Sequence, residues 1–132
     1  MSKINTLYLV DDDKNYQFFA EHVINSSGAV DKLKVFGNGR EAVQYIQSVV
    51  NMNEELPDVI FLDLDMPIMD GWEFLQEFRY LRPILEKKIT LFVVTSSVNP
   101  KDIIKAKSMP EVKDFIIKPV TKEKFDQLIK NI

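Results

Sequence analysis

Short apolar runs alternate with helical-period patterns along the whole chain. The clearest run, residues 59–62 (VIFL), passes straight into Asp63 and is followed by Asp65, a Met-Pro step and an Asp-Gly turn. A continuous apolar run that short predicts a strand buried on both faces, as in the middle of a parallel sheet. Residues 7–10, 33–36, 89–94 and 112–117 predict four further strands, the second of them weakened by an interrupting lysine. Between strands, Tyr16, Phe19, Ala20, Val23 and Ile24 recur at helical spacing, with Gly28 as the stop. A Gly37-Asn38-Gly39 turn leads into a second helix face of Ala42, Val43, Ile46, Val49 and Val50. Phe74, Leu75, Phe78 and Leu81 form a third, closed by Pro83. Asn99-Pro100 starts a fourth helix, running to about Pro110, whose buried side would be Ile103, Ile104 and Ala106. Thr121 caps a fifth, with Phe125, Leu128, Ile129 and Ile132 on one face. Residues 51–57 read as a polar connection without an evident role, and residues 86–88 as a solvated one.

Five strands alternating with five helices predict an α/β domain with a parallel sheet. The carboxyl ends of such strands are where open sheets place ligands, so Asp63 is expected at the mouth of a crevice. With 132 residues, one domain can bury a substantial core and no second domain fits. The net charge of -3 argues against a broad nucleic-acid footprint. No cysteine is present, which excludes disulfides, thiolate catalysis and Cys-ligated metals. No apolar run is long enough to span a bilayer or to act as a signal peptide, so the expected location is the cytoplasm.

The chemistry lies at the strand ends. The first strand ends in Asp11, Asp12 and Asp13, the third in Asp63, the fourth in Thr95, Ser96 and Ser97, and the fifth in Lys118 and Pro119. A parallel sheet brings all of these to one edge. Two carboxylates about 4 Å apart repel by roughly 4 kcal/mol at an effective dielectric of 20. A divalent cation removes that cost, and an all-oxygen set suits Mg²⁺. Acids, a hard metal, a lysine and a hydroxyl together make a phosphoryl-binding set.

The pieces LYLVDDD, NGREA, PDVIFLDLDMPIMDG, FVVTSS and DFIIKP, in that order and spacing, resemble the response-regulator receiver domains of two-component signalling, from about Lys3 to Ile132. The resemblance implies a doubly wound, flavodoxin-like sheet of order 2-1-3-4-5. It implies that Asp63 is the phosphoacceptor, attacking a phosphohistidine carried by a sensor histidine kinase or a histidine phosphotransfer protein. It assigns Mg²⁺ to Asp12 directly, to Asp11 largely through water, to Asp63, and to the backbone carbonyl of Asp65. Thr95 resembles the switch hydroxyl, Lys118 the lysine that pairs with the phosphoryl group, and Phe115 the aromatic switch. Phosphorylation would then reshape the face made by the fourth helix, fifth strand and fifth helix, where an unidentified downstream protein binds. With no output domain in residues 1–132, the reading expects a stand-alone receiver that catalyses only its own phosphorylation and dephosphorylation, and that touches neither nucleic acid nor membrane.

Other residues read more plainly. Asp13 is a helix-start residue near the positive end of the dipole. His22, the only histidine, is a partly exposed helix residue; Met66 and Met69 pack beside the site; Trp72 lies on a helix surface and Phe74 in the core. Lysines at 101, 105, 107, 118, 122 and 124 form a solvated face or one that suits an acidic partner. Asp65 and Ser97 stand at positions that the resemblance connects with acyl-phosphate lifetime. Three rival readings stand against the receiver. FLDLD resembles the DxD nucleophile motif of haloacid-dehalogenase-type phosphatases, though that family carries it on the first strand and usually adds a substrate cap. A receiver-like module that binds partners without phosphorylation would not need the intact acids, Thr95 and Lys118. An electron-transfer flavodoxin would place a Ser/Thr-rich phosphate loop where three acids stand.

Overall fold

The computed structural model describes residues 4–132. Lys3, where the resemblance begins, lies outside them. Five strands, β1 (Ile4–Val10), β2 (Val30–Phe36), β3 (Val59–Leu62), β4 (Thr90–Thr95) and β5 (Val112–Ile117), form one parallel sheet of order β2-β1-β3-β4-β5. The helices are α1 (Lys14–Ser27), α2 (Gly39–Ser48), α3 (Gly71–Leu81), α4 (Pro100–Lys107) and α5 (Lys122–Lys130), with a 3-10 turn at Arg82–Ile84 after α3. This is the flavodoxin-like doubly wound order.

The central strand explains why its sequence has no alternation. All four residues of β3 are buried, because each face of the sheet carries its own core. Ile60 and Leu62 point to one side, with Phe74, Leu75 and Phe78 of α3 and Val43 and Ile46 of α2. Val59 and Phe61 point to the other, with Ala20, Val23 and Ile24 of α1 and Phe125 and Ile129 of α5. Phe61 meets Phe92 and Phe125 edge-on at centroid distances of 5.8 and 5.9 Å, the favoured aromatic geometry.

Helix ends follow their local chemistry. Asp13 caps α1 by accepting the N–H groups of Asn15 and Tyr16, and Gly28 ends it in the left-handed region at φ 70°. Asn38, Asp70, Asn99 and Thr121 cap the other four, and Asp70 with Glu73 makes a reciprocal capping box.

Several expectations need correction. β1 and β2 are longer than their apolar runs, since pairing with neighbours extends them through polar residues. Phe19 is 39% exposed and Ile104 70% exposed, so neither belongs to the buried faces predicted for α1 and α4; α4 buries Ala106 and half-buries Ile103. Ile132 falls beyond α5 and is exposed.

Residues 51–57 have a role after all. Leu56 is fully buried, and the main chain accepts the Tyr8 hydroxyl at Glu55 and the Thr6 hydroxyl at Glu54. Lys87, expected in solvent, donates to the carbonyls of Asn53 and Leu56 (2.8 Å each) and pairs with Asp58 at 3.3 Å. Asp58 in turn accepts the backbone N–H groups of Asn5 and Thr6. The amino edge of the sheet is therefore stapled by polar side chains.

At the carboxyl edge the chain doubles back tightly after β3. The Gly71 N–H donates to the Leu64 carbonyl at 2.9 Å, and a Cβ at Gly71 would lie 2.4 Å from the Asp63 carbonyl oxygen and 2.7 Å from Leu64 Cα. Only glycine fits there, because the obstacles are backbone. Within the same turn Ile68 sits at φ 68°, a conformation that costs a side-chain-bearing residue roughly 1–2 kcal/mol. Gly71→Ala is expected to lower stability by about 1–3 kcal/mol, the range for forced overpacking, read as a fall in the midpoint of thermal unfolding.

Candidate functional site

Each acid is held by a different device. Asp11 follows β1 and is 1% exposed; its Oδ1 accepts the Asp13 N–H at 2.9 Å, and the buried Gln17 side chain donates to its carbonyl. Asp12 next to it is exposed. Asp63 follows β3 and is 5% exposed, with Oδ1 accepting the Leu64 N–H at 2.8 Å. Carboxylate oxygens of Asp11, Asp12 and Asp63 all lie within 4.8 Å of one another.

Lys118, immediately after β5, reaches across to this cluster. Its Nζ is 2.7 Å from Asp11 Oδ2 and 3.1 Å from Asp63 Oδ2, and it stands 4.4 Å from the centroid of the Tyr16 ring. The Lys118 N–H donates to the Thr95 carbonyl at 2.9 Å, which ties the end of β5 to the end of β4. Thr95 is 1% exposed, and its hydroxyl accepts the Ser97 N–H at 3.3 Å. The Ser97 hydroxyl donates to Asp102 in the first turn of α4 at 2.7 Å.

Two carboxylates share one ammonium here, and a third carboxylate adjoins them. Burial pushes the Asp11 carboxyl above its usual value, and the adjacent Lys118 ammonium offsets that only in part. Burial alone would depress the Lys118 ammonium, but Asp11 and Asp63 outweigh it and hold its pKa above the ordinary lysine value. The pocket thus carries excess negative charge in a partly dry setting. Its donors are hard oxygens without nitrogen or sulfur ligands, which fits Mg²⁺, with Asp11, Asp12 and Asp63 as the side chains to hold it.

The opening beside the cluster is lined by Leu64, Asp65, Trp72, Thr95 and Ser97, among others. The Asp65 side chain is exposed. Phe115 is 9% exposed and packs in the core on the α4 side of the sheet, with Ile103, Ala106 and Met109 nearby in the same cluster. Sequence reasoning anticipated Asp11, Asp12, Asp63, Thr95 and Lys118 at one edge. It missed Tyr16 and Gln17, which helical periodicity presents as ordinary face residues. His22 is exposed, Met66 is buried beside the site, and Phe74 is in the core, as read from the sequence. Trp72 is half-buried, with Lys105 Nζ 4.3 Å from its ring centroid.

Residues 7–130 match the family profile described as the response regulator receiver domain. The chain is 31% identical over 121 residues to the probable C4-dicarboxylate response regulator DctR of Bacillus subtilis; the match covers 92% of this chain and 49% of that protein. Among solved structures, a two-component response regulator from Cytophaga hutchinsonii superposes with a TM-score of 0.87 at 24% identity, covering 98% of each chain. The Mn(2+)-bound form of response regulator Rcp1 gives 0.71 at 25% identity, covering 97% of this chain and 91% of the other. The phosphorylated cyanobacterial phytochrome response regulator RcpA gives 0.77 at 27% identity, over 96% and 89%. The acid pair thus lies at the end of a third strand within a receiver fold, and not on the first strand that a dehalogenase-type phosphatase would use. The chain belongs to the response regulator receiver domain family.

Proposed function

We propose that this domain accepts a phosphoryl group on Asp63 from a sensor histidine kinase or histidine phosphotransfer protein, and that the modification alters binding of a downstream protein. The observation that carries this reading is the buried Asp63 carboxylate, fixed by the Leu64 N–H and facing Lys118 at 3.1 Å inside a three-acid cluster. The likeness to a phosphorylated regulator supports it, as does the likeness to a metal-bound one.

In the transfer, an Asp63 carboxylate oxygen attacks phosphorus and a P–O bond forms. The P–N bond to the donor histidine breaks, and its electron pair returns to the imidazole. The protein contributes position and charge, which is most of what phosphoryl transfer requires. Mg²⁺, when bound, would be held by Asp11, Asp12, Asp63 and the Asp65 carbonyl, and would supply positive charge to neutralise the phosphoryl group. Lys118 exchanges a carboxylate partner for a phosphoryl oxygen. Thr95, whose hydroxyl oxygen accepts from Ser97, keeps its own hydrogen for the phosphoryl group. As Thr95 moves inward, Phe115 turns into the space it leaves, and the surface of α4, β5 and α5 changes with it. In this reading the domain works in the cytoplasm, without direct contact to nucleic acid. Among the described residues no helix is long and apolar enough to cross a membrane.

Incubation with Mg²⁺ and acetyl phosphate, followed by intact mass, is expected to show one added phosphoryl group that decays with time and is absent in Asp63→Asn. Modification that persists in Asp63→Asn, or none in the unaltered protein, overturns the assignment. Thr95→Ala is expected to be modified as readily yet to bind the downstream protein no more tightly afterwards; a phosphorylation-dependent gain in that variant removes the Thr95–Phe115 switch.

Metal binding carries a pH signature. The folded domain holds the Asp11 proton more tightly than the unfolded chain does, so this group's contribution to stability grows as pH falls below its raised folded value. The same proton competes with the metal. Mg²⁺ affinity, followed by Trp72 emission, is therefore expected to weaken on acidification from a pH above the ordinary aspartate value of 3.8. Affinity that stays level until that value is reached disproves it.

A further inference from the structure

Lys118 is enclosed on three sides. Its ammonium has three hydrogens. Two partners are carboxylates, Asp11 Oδ2 at 2.7 Å and Asp63 Oδ2 at 3.1 Å; the third neighbour is the Tyr16 ring, 4.4 Å from Nζ to centroid. The Lys118 side chain keeps only 13% of its exposure, although β5 is an edge strand. Tyr16 comes from the first turn of α1, and its hydroxyl accepts the Val120 N–H at 3.4 Å. One side chain therefore contacts the lysine by its ring face and the segment after β5 by its hydroxyl. The Phe19 ring lies behind it at 6.1 Å.

We propose that Tyr16 is a positioning residue for phosphoryl transfer, its ring holding the Lys118 ammonium beside Asp63 while leaving it free to change anionic partners. The proposal rests on the reading of Asp63 as phosphoacceptor. Lysine is a point charge on a flexible four-carbon stem, and at a sheet edge nothing in the stem itself keeps the charge over the site. A third carboxylate could hold it, but would add negative charge where a phosphoryl group must arrive. An aromatic face attracts the cation through its quadrupole and carries no net charge to repel the phosphoryl oxygens. The ammonium can thus release Asp11 or Asp63 and take a phosphoryl oxygen while keeping the ring contact throughout.

The test compares Tyr16→Phe, which keeps the ring, with Tyr16→Leu, which removes it; Tyr16→Met replaces the latter if that variant fails to fold. The rate of Asp63 modification by acetyl phosphate at saturating Mg²⁺ is expected to stay within about twofold of the unaltered protein for Phe and to fall about tenfold for Leu, at the strength of a partly desolvated cation–π contact. The same Leu substitution in a Lys118→Met background is expected to cause no further loss. Equal rates for Phe and Leu overturn the proposal, and so does a loss undiminished in the Lys118→Met background. The unmodified protein gives a second readout: ring-current displacement of the Lys118 ε-methylene protons, present with Tyr or Phe and lost with Leu. Absence of that displacement with Tyr also overturns it. If the unaltered protein takes up no phosphoryl group, the phosphoacceptor reading fails, while the ring-current comparison still decides the contact between Tyr16 and Lys118.

Discussion

One ammonium shared between two buried carboxylates governs the arrangement of this domain. Lys118 bridges Asp11 and Asp63, which arise from adjacent strands, while the lysine itself comes from the sheet's edge. The attraction does not balance the charge, because Asp12 adds a third carboxylate to the same cluster. The pocket consequently favours whatever brings further positive charge, and that imbalance is the source of its chemistry. Replacement of the whole set by apolar side chains would give a quieter core. What is retained is a cluster of like charges held together against their repulsion.

The scaffold places these groups by simple means. β1 and β3 end in register and deliver Asp11 and Asp63 to one level, β4 runs on to Thr95 one residue beyond that level, and the Lys118 N–H bond to the Thr95 carbonyl brings the edge strand to the same end of the sheet. The close pass of Gly71 over Asp63 and Leu64 keeps the next turn from drifting. Asp13 orients the start of α1, so that Tyr16 and Gln17 stand one beside the lysine and the other beside the Asp11 main chain.

The fold and the charged members of the site were legible in the sequence because each charged residue terminates an apolar run. Asp63 after VIFL and Lys118 after FII cannot be packed as core, so their position carries information. Tyr16 and Gln17 were not legible in the same way. Their contacts join α1 to strands far off in the chain, whereas periodicity reports only that a residue lies on some helical face. The same limit placed Phe19 and Ile104 inside: an apolar side chain at an approximately right phase can still lie at the rim. The loop at 51–57 looks idle in the sequence because it accepts from Tyr8, Thr6 and Lys87 through its own main-chain carbonyls, which leave no trace in side-chain pattern.

The polar staple of Lys87, Asp58 and the loop carbonyls divides the sheet into two unlike ends. At the amino end, groups are matched donor to acceptor and have no occupant to wait for. At the carboxyl end, groups of like charge are kept together at a cost. The polar staple and the acid cluster therefore draw on separate residues, joined only by the apolar strands between them. Substitutions that strengthen the staple can therefore harden the amino end while the charge balance of the acid cluster stays as it is.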